Sequence, residues 1–247
     1  MNLKASIKYQ LNEYKKSIII FYFIILCVLT FMFILANSIS DTTSQFGGME
    51  MSSIIFIFVI GLNSFKDSFR MHIQNGVSRK TMVIGRMISA LAVCIGMAVI
   101  DRIIAQIGNW ISSSNERFIY KGILERTYNR SNIGSVQMQL DGLLFNICLY
   151  LAIFAIGYFV TIAYYRMNNA LKLAVSVGVP VGLFIILPIV DMSITGGRIS
   201  KALSSMFDFA FGFSKGNPYY AMVTGILMFA IFGGLSWLMV RKAVDKN

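Results

Sequence analysis

Apolar and polar positions along this chain do not alternate singly. They fall into six long apolar blocks separated by short polar connections: 17–36, 48–65, 81–107, 143–164, 173–190 and 219–240. Each block is close to the roughly 20 residues that a helix needs to cross about 30 Å of hydrocarbon. Backbone polar groups inside lipid must be satisfied within the segment, so blocks of this length are expected to be helices. Barrel strands would read as short alternating runs, and the sequence has none. The first block is too long for the apolar core of a signal peptide, and a long polar segment precedes it, so it reads as a retained span. The expected fold class is an all-α integral membrane protein with six transmembrane helices.

Composition supports that reading. Of 247 residues, 56% are hydrophobic, 13% are charged and only three are proline. Mean hydropathy is +0.68, more apolar than a soluble domain of this length tolerates. The formal net charge of +11 raises nucleic acid as a partner, but no basic groove with interleaved aromatics is present, and the cations cluster beside apolar blocks. Fourteen of the 22 Lys and Arg fall in the N-terminal segment, the second-to-third connection, the fourth-to-fifth turn and the C-terminal tail. The segment 37–50 has none. The positive-inside rule then puts both termini in the cytoplasm. Cys27, Cys94 and Cys148 all lie in apolar blocks, with no CxxC pair, and the single histidine, His72, has no ligand type near it in sequence. No metal site is expected.

Two cytoplasmic features stand out. In residues 1–16, Leu3, Ile7, Leu11 and Tyr14 recur at helical spacing with Lys4, Lys8 and Lys15 beside them. That pattern predicts an amphipathic interfacial helix that anchors the first span. The second is the connection between spans two and three. Phe65, Phe69, His72 and Ile73 share one helical face, flanked by Lys66 and Arg70. Asn75-Gly76 then offers a stop and Ser78 an N-cap for the third span. A solvated loop with topological charges would explain the cations but not the apolar stripe. A knob for a groove on a cytosolic partner explains both.

Residues 65–87, "FKDSFRMHIQNGVSRKTMVIGRM", resemble the corresponding connection of the six-span permeases of ABC-2-type exporters, in which a (Q/F)-x-G-x-(S/T)-R turn precedes the third span. Here it reads Gln74-Asn75-Gly76-Val77-Ser78-Arg79. The six-span layout with a basic amphipathic N-terminus is also similar, nearest the small permeases of Gram-positive peptide exporters such as the phenol-soluble-modulin exporter. The resemblance implies that 65–75 is a coupling helix gripped by a separate cytosolic ABC ATPase, through Phe65, Lys66, Phe69, Arg70, His72, Ile73, Asn75, Gly76 and Arg79. It further implies a second permease copy as a homodimer, location in a bacterial cell membrane, and export of a hydrophobic or amphipathic cargo such as a peptide toxin. No glycine is followed by lysine anywhere in the chain, so it lacks a phosphate loop. This chain is therefore expected to be no enzyme and to hold no cofactor, ATP and magnesium being bound by the partner. A stand-alone channel or ion-coupled carrier is the alternative.

On the outer side the family more often elaborates the last loop, whereas here 112–142 is long and carries Glu116, Arg117, Lys121, Glu125, Arg126, Arg130 and Asp141. In 191–218, Leu203, Met206, Phe207, Ala210 and Phe211 form an apolar face, read as a re-entrant or an interfacial helix; the resemblance favours a re-entrant plug. Within the spans, Asn63, Asp101, Arg102 and Asn146 are candidate cavity-lining residues. For Asp101 and Arg102 two readings stand: a cavity, or an outer interface if the third span ends at Ile100. Small-residue pairs at 178/182, 221/225 and 230/234 allow close helix packing, within the chain or between copies.

Overall fold

A computed structural model describes residues 3–38, 44–114, 118–128 and 136–241. Six of its helices are long and apolar enough to cross a membrane, the architecture of a helical multi-pass membrane protein. Helix α1 (Leu3–Ser38) leads through strand β1 (Ser44–Gly47) to α2 (Met49–Asn63) and α3 (Lys66–Gln74). Then come α4 (Arg79–Ser114), strand β2 (Phe118–Lys121), α5 (Ile123–Thr127) and α6 (Val136–Arg166). The fifth span is α7 (Asn169–Val181), a π-helical turn and α8 (Leu187–Val190). After a second π-helical stretch, α9 (Arg198–Phe211) and α10 (Pro218–Arg241) complete the described chain.

The six blocks all become helices; α1, α4, α6 and α10 run past the ends of their blocks, whereas α2 stops slightly inside its own. Residues 1–16 were expected to form a helix of their own. Instead α1 runs unbroken over 36 residues, about 54 Å at 1.5 Å per residue. Nothing in it forces a break: it contains neither glycine nor proline. Its buried N-terminal positions are Ser6, Gln10 and Tyr14, so the inward stripe is polar and is offset from Leu3, Ile7 and Leu11.

Helix α6 is the hub, packed on α2, α4 and α10. Small residues set the closest approaches. A Cβ on Gly61 would lie 2.7 Å from the Phe154 carbonyl oxygen, and one on Gly157 would lie 2.6 Å from that of Phe58. Gly225 is similarly tight against Cys148. Among the described residues Gly178, Gly182 and Gly234 meet nothing within 4 Å, whereas the 221/225 pair is spent on packing inside the chain. The core between these helices includes Ile57, Phe65, Phe69, Val83, Met97, Phe154 and Tyr158. No residue of α7 or α8 is buried, and Tyr164 reaches the fifth span through a 3.0 Å hydrogen bond with Ser176.

At the other end of the bundle from α3, β1 and β2 pair in parallel, Ser44 opposite Phe118 and Gly47 opposite Lys121. This small ribbon ties the connection between α1 and α2 to 118–128, and α5 is drawn down over the start of α2. Helix α9 has no buried residue. Leu203, Met206 and Phe207 are exposed, and Ala210 and Phe211 only half-covered. It lies beside α10, held by Thr224 donating to the Ala210 carbonyl at 2.6 Å and by Tyr128 donating to that of Phe211 at 2.6 Å. Within the chain α9 is thus an amphipathic helix on the outside of the bundle, packed against α10 and Tyr128. Glu116, Arg117 and Arg130 lie outside the described residues.

Candidate functional site

The local signals around α3 act as expected. Gly76 takes a φ of +64°, which glycine adopts without strain. The Val77 N–H donates to the His72 carbonyl at 2.9 Å and the Gly76 N–H to that of Ile73 at 3.0 Å, the paired bonds of a Schellman stop. Ser78 Oγ accepts from the Thr81 N–H at 3.1 Å and starts α4. The result is a nine-residue helix clamped between two spans.

Which face it shows differs from the sequence expectation. Phe65, Phe69 and His72 were expected to touch a partner. They point into the protein: Phe69 is 0% exposed, and all three are buried. Phe65 stacks on Phe69 with ring centroids 4.9 Å apart. Both rings then meet Tyr165 edge-on, at 5.2 and 5.7 Å. His72 Nδ1–H donates to the Ser68 carbonyl at 2.6 Å, which leaves Nε2 to accept the Ser6 hydroxyl at 2.7 Å. The physical reason is that an apolar stripe beside large apolar spans gains more by burying against them than by facing water. Lys66, Ile73, Asn75, Gly76 and Arg79 remain exposed and Arg70 partly so. Arg79 donates to the Arg241 carbonyl at 2.5 Å, joining the ends of α4 and α10.

A polar seam missed by the sequence reading holds α1 to this region. Arg86 is 1% exposed. It pairs with Glu13 at 3.2 Å and donates to the Tyr14 hydroxyl. Tyr14 also bonds Ser64 at 2.6 Å. Gln10 donates to the Met82 carbonyl at 3.4 Å and accepts from Ser89 at 3.2 Å. The recurrence of Ser6, Gln10 and Tyr14 every fourth residue was the available signal.

The second cluster lies toward the opposite end, between α2, α4 and α6. Helix α4 does not end at Ile100, and Asp101 and Arg102 are each only 7% exposed. Both are enclosed by protein, whichever side of the membrane boundary they occupy. Asp101 accepts from Tyr22 at 2.9 Å and from Tyr150 at 2.5 Å. Arg102 pairs with Glu125 at 3.3 Å, and it donates to Gln139 at 2.9 Å and to the Met138 carbonyl at 3.2 Å. Its guanidinium lies where a Cβ on Gly142 would sit, 2.5 Å from Cζ. Glu125, one of the charges of the long 112–142 connection, is buried here; it also caps α5, accepting from the Gly122 N–H at 2.8 Å. Asn146 is buried. Asn63 is corrected: it is exposed at the far end of α2 and bonds only back to the Val59 carbonyl at 3.0 Å. Glu50, Tyr22 and Tyr150 were not anticipated, and an acid opening an apolar block was the overlooked signal.

Among the described residues no group of three or more His, Cys, Asp or Glu is placed to hold a metal ion. An apolar groove of about 410 Å³ runs between α1 and α4 along Leu26, Phe33, Ile104 and Ile107. No protein-family model, curated protein sequence or solved structure matches this chain.

Proposed function

We propose that this chain is the transmembrane permease subunit of an ATP-driven exporter, an ABC-2-type permease with both termini in the cytoplasm of a bacterial cell. The observation that supports it is the two-faced mounting of α3. One face is locked into the bundle and the other, with Lys66 and Ile73, is left outside. A helix mounted so transmits a push. Force on its outer face reaches α6 through Phe65, Phe69 and Tyr165, α1 through His72 and Ser6, and α4 through the stop at Gly76. The partner is a cytosolic ABC ATPase that binds ATP and magnesium, and closure of that ATPase tilts the spans around a path between two permease copies. The cargo is hydrophobic or amphipathic, a peptide toxin among the candidates, because the spans offer apolar surfaces.

The docking test falls on the exposed face of α3. Phe69→Asp would damage the fold, so it says nothing about docking. Lys66→Glu with Ile73→Asp alters exposed positions alone. Extraction of the full chain from its native membrane in mild detergent should bring down an ATP-hydrolysing polypeptide, and the double variant should lose it while eluting as a single sharp species. A chain that purifies without any ATPase, or a variant that retains it fully, would sink the proposal.

A second reading, an ion-coupled carrier, has its own observation in favour: the enclosed Glu50, Asp101, Arg102 and Glu125. Solute flux into vesicles that contain only this chain, driven by an ion gradient and without ATP, would support it over the first.

A further inference from the structure

Glu50 is the odd member of the outer cluster. Three carboxyl groups, Glu50, Asp101 and Glu125, are enclosed with one guanidinium, Arg102. Arg102 is paired with Glu125, and Asp101 is held by two phenols. Glu50 is 2% exposed, and among the described residues its Oε2 has no hydrogen-bond partner. Asn146, also 2% exposed, has an unpartnered Nδ2. The two belong to one level of the bundle. Helices α2 and α6 run in the same direction and touch at Gly61 and Gly157. Glu50 and Asn146 each lie eleven residues before those glycines, close to three helical turns.

A lid covers this position. Glu50 Oε1 lies where a Cβ on Gly122 would come within 2.8 Å. Gly122 opens α5, which is pinned by the Glu125–Arg102 pair and, through β2, by the ribbon. The Glu50 carboxyl has only its own backbone N–H as donor and leaves Oε2 unmatched; an anionic carboxylate enclosed with so little compensation is disfavoured, and such a group takes up a proton instead. We infer that Glu50 is a proton-binding site of this protein, occupied while the 118–128 segment is closed over it and opened to the outer solution when that segment lifts. The groups that face it are Asp101 and Arg102 from α4, Glu125 from α5 and Tyr150 from α6. Two acids against one cation hold the balance toward a neutral Glu50. The step is a simple exchange, carboxylate plus proton to carboxylic acid, and it needs no co-reactant. It is independent of the exporter reading, since an ATPase partner neither requires nor forbids it.

Infrared difference spectroscopy of the purified full chain in detergent tests it. At neutral pH, wild type minus Glu50→Gln should show loss of a protonated-carboxyl carbonyl band, and in wild type that band should shrink as pH rises. Gly122→Ala, which lifts the lid from Glu50, should convert the band to carboxylate at the same pH. Loss of carboxylate bands alone in Glu50→Gln overturns the inference. Should Glu50→Gln fail to fold, a wild-type carboxyl band that responds neither to pH nor to Gly122→Ala overturns it equally.

Discussion

The pair Arg102–Glu125 shows what single residues must satisfy in this protein. Removing one member of an enclosed ion pair leaves the other charge unsolvated, which costs about 3–5 kcal/mol, whereas replacing both with apolar residues of similar size is often close to neutral. Arg102→Met should therefore lower the thermal stability of the detergent-solubilised protein sharply. Arg102→Met with Glu125→Met should recover most of the loss. A double variant no more stable than the single one would show that the pair is not an isolated unit. Tyr128 gives a pH-dependent case outside the spans. Burial pushes its phenol up from 10.0 to about 12. The fold thus favours the neutral phenol, and its stabilising effect is full below pH 10 and lost as pH rises toward 12. Its bond to the Phe211 carbonyl contributes about 1 kcal/mol. Wild type should exceed Tyr128→Phe by about that much at neutral pH, and the gap should close across this alkaline window in melts followed by circular dichroism.

At the scale of elements, helix contact is decided by where a side chain is missing. Gly61→Val and Gly157→Val each place carbon inside a backbone contact between α2 and α6. Overpacking of this kind costs about 1–3 kcal/mol. Because both changes widen the same seam, the double variant should lose less than the sum of the singles. Additive losses in a melting series would mean that the two glycines do not share one interface. The same scale explains α3. Its length, stop and cap were legible in Asn75-Gly76-Val77-Ser78, because those are local backbone events. Its orientation was not. Phe65 and Phe69 look alike whether they wait for a partner or pack on Tyr165, and Tyr165 lies about a hundred residues later in the chain.

For the whole molecule, the fifth span poses the open question of assembly. It leaves α7 and α8 without a buried residue, and Gly178 and Gly182 meet nothing among the described residues. Gly178→Leu with Gly182→Leu should leave the melting temperature of the single chain unchanged. If two copies meet through this span, native mass spectrometry should show the dimer lost in that variant. Unchanged dimers would place any seam elsewhere.

By itself the sequence determined the number of spans, their helical character, the asymmetry of Lys and Arg between the two sides, and the boundaries of α3. Those follow from run length, hydropathy and short-range backbone signals, all of which are written within about twenty adjacent residues. Tertiary structure alone decided the rest. It continued α1 through its polar N-terminus because Ser6, Gln10 and Tyr14 find partners on α3, on α4 and at the end of α2. It turned the aromatic face of α3 inward. It enclosed Asp101 and Arg102, which the sequence left between a cavity and an interface, and brought Glu50 and Glu125 to them from segments tens of residues away. Whether a polar residue is a solvated charge or a buried one depends on which distant side chain meets it, and that is a property of the packed helices.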